Sequence, residues 1–178
     1  MILKNYFLSI FLMLVFSISH SQNTISIIQK DKSKITISLN SDPNDSEIPV
    51  QTLDIKNSKN NYIQVASLEA SVTGKPSHLT ADDYNFDGYT DFACFYSDDG
   101  MGVYNIYQLF IFNPKTKQFD YLHFPAGSDA KCGMFCDVKI DKIKKTFSSS
   151  CRGGARWHTD VWKFNKNKKL ILINDKRN

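Results

Sequence analysis

Apolar residues in this chain recur at every second position rather than every third or fourth, and that period decides what the chain can fold into. Ile25-Ser26-Ile27 and Ile35-Thr36-Ile37-Ser38-Leu39 alternate apolar with polar side chains, the pattern of strands with one buried face. Extended runs are expected again over 48–55, 62–68, 92–96, 104–112, 118–124, 134–140, 146–151, 157–164 and 170–173. Turn-forming segments separate them, among them 40–47 with Pro43, Gly74-Lys75-Pro76, Asn113-Pro114-Lys115-Thr116 and 165–168. Proline suits the second position of a turn, so 118–124 should fold back on 104–112 as a hairpin. No stretch beyond the N-terminal segment carries helical periodicity. Many short strands at regular intervals predict an all-β single domain of antiparallel strands, a sandwich or a small barrel-like fold.

One connection stands apart. Asp83-Tyr84-Asn85-Phe86-Asp87-Gly88-Tyr89-Thr90-Asp91 places oxygen-bearing side chains at Asp83, Asn85, Asp87 and Asp91, with the carbonyl of Tyr89 completing an alternate-position set. That spacing lets a short segment wrap a hard cation such as Ca2+, and Gly88 supplies the sharp turn. The competing reading is a plain strand connection, because Asp, Asn and Gly favour turns on their own account. With no copy of the loop elsewhere in the sequence, a many-bladed propeller is not expected.

The N-terminus opens with Lys4, an apolar run from 6 to 18 broken only by Ser9 and Ser17, and then Ser19-His20-Ser21. These are the parts of a secretory signal peptide covering 1–21, followed by a β domain over 22–178. The apolar run is shorter than the roughly 20 residues that span a bilayer, so no stable membrane insertion is expected after cleavage. The mature protein is expected in the periplasm or secreted. A formal charge of +4, spread over 142–145 and the C-terminal lysines, is too mild and scattered to call for nucleic acid.

All four cysteines, Cys94, Cys132, Cys136 and Cys151, lie in the mature part, and an even number in an exported chain points to two disulfides. Three pairings are open. A hairpin turning near 141–144 would set Cys136 opposite Cys151 and leave Cys94 with Cys132; Cys132 with Cys136 is the rival. Their spacing does not form the paired ribbon of a zinc site.

Catalytic signatures are missing: there is no Gly-x-Ser-x-Gly and no His-Glu-x-x-His, and His78, His123 and His158 stand at no shared metal spacing. The chain is therefore expected not to be an enzyme. Two segments carry residue types that anchor interfaces. One is the run through Arg152, Gly153, Gly154 and Trp157, where paired glycines permit a tight excursion. The other is the glycine loop with Asp99, Met101 and Tyr104. These seven residues are the candidates for target binding, against the plainer reading of a hairpin corner.

The segment from Asp83 to Phe92, the strand at 104–112 and the run at 150–155 resemble a family of bacterial exported proteins. That family includes periplasmic immunity proteins acting against lysozyme-like effectors of a bacteria-killing type IV secretion system. It is similar in fold to the periplasmic inhibitors of invertebrate-type lysozyme, and the acidic loop also resembles the calcium loops of FG-GAP repeats. The resemblance runs over 51–173, most sharply in the loop. It implies a β-rich domain with one Ca2+ holding a loop, and an exposed neighbouring loop that plugs the cleft of a lysozyme-like peptidoglycan hydrolase. Two other classes stay open: an envelope or surface module that binds carbohydrate or protein with calcium for rigidity alone, and an exported hydrolase with an unrecognised site.

Overall fold

The computed structural model describes residues 24–41, 51–59, 62–68, 76–98 and 103–173. All regular structure among them is β, in thirteen strands numbered here in chain order. The first four, β1 (Thr24–Ile28), β2 (Lys34–Ser41), β3 (Gln51–Asn57) and β4 (Tyr62–Leu68), form an antiparallel meander. A central sheet follows, β5 (His78–Asp82), β6 (Asp91–Asp98), β7 (Asn105–Asn113) and β8 (Gln118–Tyr121), with the two-residue β9 (Phe135–Cys136) also paired to β7. The third sheet is the meander β10 (Lys139–Asp141), β11 (Thr146–Gly153), β12 (Arg156–Phe164) and β13 (Leu170–Ile173). None of the three closes on itself, so the architecture is a layered sandwich rather than a barrel.

The central sheet is covered on both faces. One core holds Ile35, Ile37, Leu53 and Ile55 of the first sheet against Phe92, Cys94, Phe110 and Phe112. The other holds Ala93 and Leu109 against Phe147 and Trp162 of the third sheet. This explains why β6 is buried without interruption from Asp91 to Ser97, whereas a strand with one wet face would alternate. Ring packing reinforces both cores: Phe92 stacks on Phe110 at 4.6 Å, and Phe124 meets Trp162 edge-on at 5.2 Å.

Most expected strands are present, with three differences. β5 was not expected; its short mixed sequence, His-Leu-Thr-Ala-Asp, carries too few apolar positions to show a period, and pairing with β6 makes it a strand. Residues 118–124 extend only to Tyr121, after which the Leu122 amide donates to the carbonyl of Leu109. The expected strand over 134–140 is split at Asp137, whose φ of 40° is left-handed. There Asp137 trades bonds with Asn105: its amide donates to the Asn105 carbonyl at 2.9 Å, and its Oδ1 accepts the Asn105 amide at 2.9 Å.

That break corrects the cysteine pairing. Lys139 faces Ser148 and Ile140 faces Phe147, a register that would bring Cys136 opposite Cys151 if the strand continued. Instead Asp137 diverts the chain, and Cys136 pairs with Ile106 in the central sheet. The disulfide joins Cys132 to Cys151, so neither the expected pairs Cys136–Cys151 and Cys94–Cys132 nor the rival Cys132–Cys136 is made. Cys94 and Cys136 are buried and take no part in a disulfide; burial pushes the Cys94 thiol up to about 12. A disulfide fits a protein exported to an oxidising compartment.

Candidate functional site

Residues 83–91 connect β5 to β6, and their coil is set by two left-handed residues two apart, Phe86 with φ 61° and Gly88 with φ 85°. This turns successive backbone amides inward onto the acidic side chains. The Asp87 amide donates to both Oδ1 of Asp83 at 3.1 Å and Oδ1 of Asn85 at 3.0 Å. Oδ2 of Asp83 accepts the Gly88 amide at 2.8 Å, Oδ1 of Asp87 accepts the Tyr89 amide at 3.0 Å, and the Asn85 Nδ2 donates to Oδ2 of Asp87 at 3.2 Å.

Asp91 anchors the loop to the sandwich. Its side chain is fully buried; Oδ2 accepts the amides of Tyr84 at 2.9 Å and Asn85 at 3.2 Å, and Oδ1 accepts the amide of Phe112 at 2.8 Å. Burial pushes its carboxyl up to about 8, against the opposing pull of those three amides and with added repulsion from Asp83. A further anchor escaped the sequence reading. Gln29, buried in the turn after β1, donates to the Thr90 carbonyl at 2.7 Å and accepts the Thr90 amide at 2.8 Å. Its 61-residue separation from the loop leaves no local signal that could have marked it.

The donor set is uniformly hard oxygen, three carboxylates with one amide oxygen and one carbonyl, which matches Ca2+ chemistry. Among the described residues no group of three or more His, Cys, Asp or Glu is drawn together as a metal-holding cluster, and in the loop the carboxylates are turned to backbone amides. Asp87 also faces Lys168 at 3.6 Å. The hard-oxygen chemistry of this alternate-position set fits a cation; Asp83, Asn85, Asp87, Tyr89 and Asp91 are the residues that would hold it.

Asp91 has a pH consequence in the metal-free protein. A carboxyl whose folded pKa is raised stabilises the fold at low pH, and that contribution is lost as pH rises from the ordinary Asp range through about 8. Thermal melts in chelator should therefore fall across pH 4 to 8. Saturating Ca2+ should flatten the decline, since a bound cation favours the ionised form; parallel slopes with and without Ca2+ would contradict this.

The second set of candidates gathers elsewhere. Asp99 and Met101 lie outside the described residues. Tyr104 and Trp157, 53 positions apart in sequence and from the two separate candidate segments, meet edge-on with ring centroids 6.5 Å apart. Trp157 is 54% exposed, and Arg152, Gly153 and Gly154 beside it form the exposed β11–β12 hairpin tip. Gly154 is left-handed with φ 62°, and the Arg152 Nε donates to its carbonyl at 3.0 Å. Gly153 lies so close to His158 that a Cβ would stand 3.0 Å from its Nε2.

Beneath this face is a third cluster, Tyr96, Ile106, Cys132, Cys136 and Cys151, with Tyr104 packed on it. A β-bulge between Phe95 and Ser97 inserts Tyr96 there, and its hydroxyl reaches the sulfur of the exposed Met134 at 3.8 Å. Buried Asp160 accepts the amides of Lys131 at 2.9 Å and Cys132 at 2.8 Å, which brings Cys132 to Cys151. Met134 and Asp160 were not singled out from sequence; the strand period could have marked Asp160 as inward-facing, but Met134 sits in an irregular segment. His78 stacks on Phe95 at 4.9 Å, and His123 meets Tyr121 at 4.6 Å, both in aromatic contacts.

Comparison with known proteins adds little. No protein-family model and no curated protein matches the chain. A solved chain described as "Structure of a Xanthomonas Type IV Secretion System related protein" is similar at 14% identity with a TM-score of 0.48, over 89% of this chain and 87% of that one. A likeness at that level transfers nothing about function.

Proposed function

We propose that this is an exported binding protein, stabilised by calcium, that inhibits a lysozyme-like peptidoglycan hydrolase by obstructing its cleft. One observation carries the reading: Tyr104 and Trp157, from segments far apart in sequence, meet at an exposed corner braced by the Cys132–Cys151 disulfide. An exposed Trp157 backed by the half-buried Tyr104 on a braced support has the character of an interface anchor, and the neighbouring arginines suit an acidic partner surface. No catalytic role is assigned to any residue. Calcium, in this reading, neutralises Asp83, Asp87 and Asp91 and stiffens the start of β6, so the loop acts as a clamp rather than as the contact surface.

Two experiments bear on the two halves of the reading. Immobilised protein should retain a lysozyme-like hydrolase from a panel of purified peptidoglycan hydrolases, and fail to do so as the Trp157→Ala variant; retention of none of the panel would remove the inhibitor role. For the clamp, Ca2+ should raise the melting temperature of the parent protein, while Asp87→Ala melts lower and no longer responds. An undiminished calcium response in that variant would remove the metal assignment.

A further inference from the structure

A second surface, built largely from other residues, is a cleft of about 560 Å³ where the turns after β7 and β12 meet loop residues 85–87. Four lysines line it, carried by separate parts of the chain: Lys115 by the β7–β8 turn, Lys145 by the β10–β11 turn, Lys163 by β12 and Lys168 by the β12–β13 turn. Two carboxylates also line it, and both are engaged. Asp87 accepts the Tyr89 amide and faces Lys168, and Asp120 accepts the Asn113 side-chain amide at 3.0 Å. Among the described residues no carboxylate forms an ion pair with Lys115, Lys145 or Lys163.

Gathering like charges at one concavity works against the fold through their mutual repulsion, and a bound anion removes that cost. The remaining lining is not that of a site for a bare inorganic anion. Phe86, Tyr121 and Phe164 contribute aromatic surface, and Tyr121 is 42% exposed. The volume falls in the range of about 300–1,000 Å³ typical of small-molecule sites. An apolar ring face together with a negative charge is the chemistry of a sugar acid, whose C–H face packs on aromatic rings while its carboxylate meets ammonium groups.

We propose that this cleft binds an acidic saccharide, with its ring against the aromatic side and its carboxylate among the lysines. The site is independent of the hydrolase-binding corner, since it uses neither Tyr104 nor Trp157. Calorimetric titration of the full protein at fixed Ca2+ with a galacturonic acid trisaccharide, with neutral maltotriose and with inorganic phosphate tests it. The acidic trisaccharide should bind at least tenfold tighter than either of the others. Lys145→Gln combined with Lys163→Gln should weaken it at least tenfold without lowering the melting temperature, and Tyr121→Ala should weaken it as well. Equal binding of phosphate would reduce the site to charge alone and overturn the saccharide assignment. Equal binding of maltotriose would overturn the role of the lysines, and no binding of any of the three would overturn the site.

Discussion

Asp91→Ala should be severely destabilising, moving the unfolding transition to far lower denaturant than in the parent. The substitution strips three backbone amides of their acceptor, those of Tyr84 and Phe112 buried and that of Asn85 partly so. At about 1–3 kcal/mol for each orphaned donor, the loss is on the order of 3–9 kcal/mol, a large share of the roughly 5–15 kcal/mol that holds a domain together. The Phe112 amide belongs to the central sheet, so the damage is not confined to the loop. Denaturant unfolding in chelator separates this effect from any loss of metal. Asp91→Asn keeps one acceptor oxygen and should fall between parent and Ala. An unfolding free energy for Asp91→Ala within about 1 kcal/mol of the parent's, the ordinary loss for a single substitution, would show that Asp91 is not the anchor described.

The second large effect is expected from the disulfide. Cys132 and Cys151 are separated by 19 positions, and releasing a loop of that size costs about 3 kcal/mol by the chain-entropy account. The consequence reaches the proposed contact surface, because Tyr104 packs on the cluster that contains both cysteines. Cys132→Ala with Cys151→Ala should therefore lower the melting temperature and weaken retention of the hydrolase together, and a reducing agent should reproduce both changes in the parent protein. Under the same reductant, buried Cys94 should stay unreactive to thiol reagents until the chain unfolds. If the double variant melted as the parent does, the bridge would not be bracing that corner.

The sequence showed the fold class well and the connections poorly, for physical reasons. Alternation is local, so β1, β2, β11 and β12 could be read directly, and the uninterrupted apolar run of β6 pointed to a strand without revealing that sheets cover both its faces. The turn that diverts Cys136 depends on Asp137 exchanging hydrogen bonds with Asn105, 32 residues earlier, and no local pattern encodes that. The acidic loop was legible because its spacing is its chemistry. Gln29, which holds it from the first sheet, was not, and neither was the meeting of Tyr104 with Trp157. The two segments that carry those rings could each be suspected; only the packing of the central sheet against the third brings them to one corner.

Inhibition itself is the decisive quantity. Lysis of peptidoglycan by the retained hydrolase should be titrated with the parent protein and with Trp157→Ala, each in calcium and each shown to be folded. The account predicts that the parent abolishes activity near one equivalent and that Trp157→Ala requires at least tenfold more, a difference of about 1.4 kcal/mol in binding. Equal inhibition by the two proteins, or full hydrolase activity in a saturating excess of the parent, would contradict it.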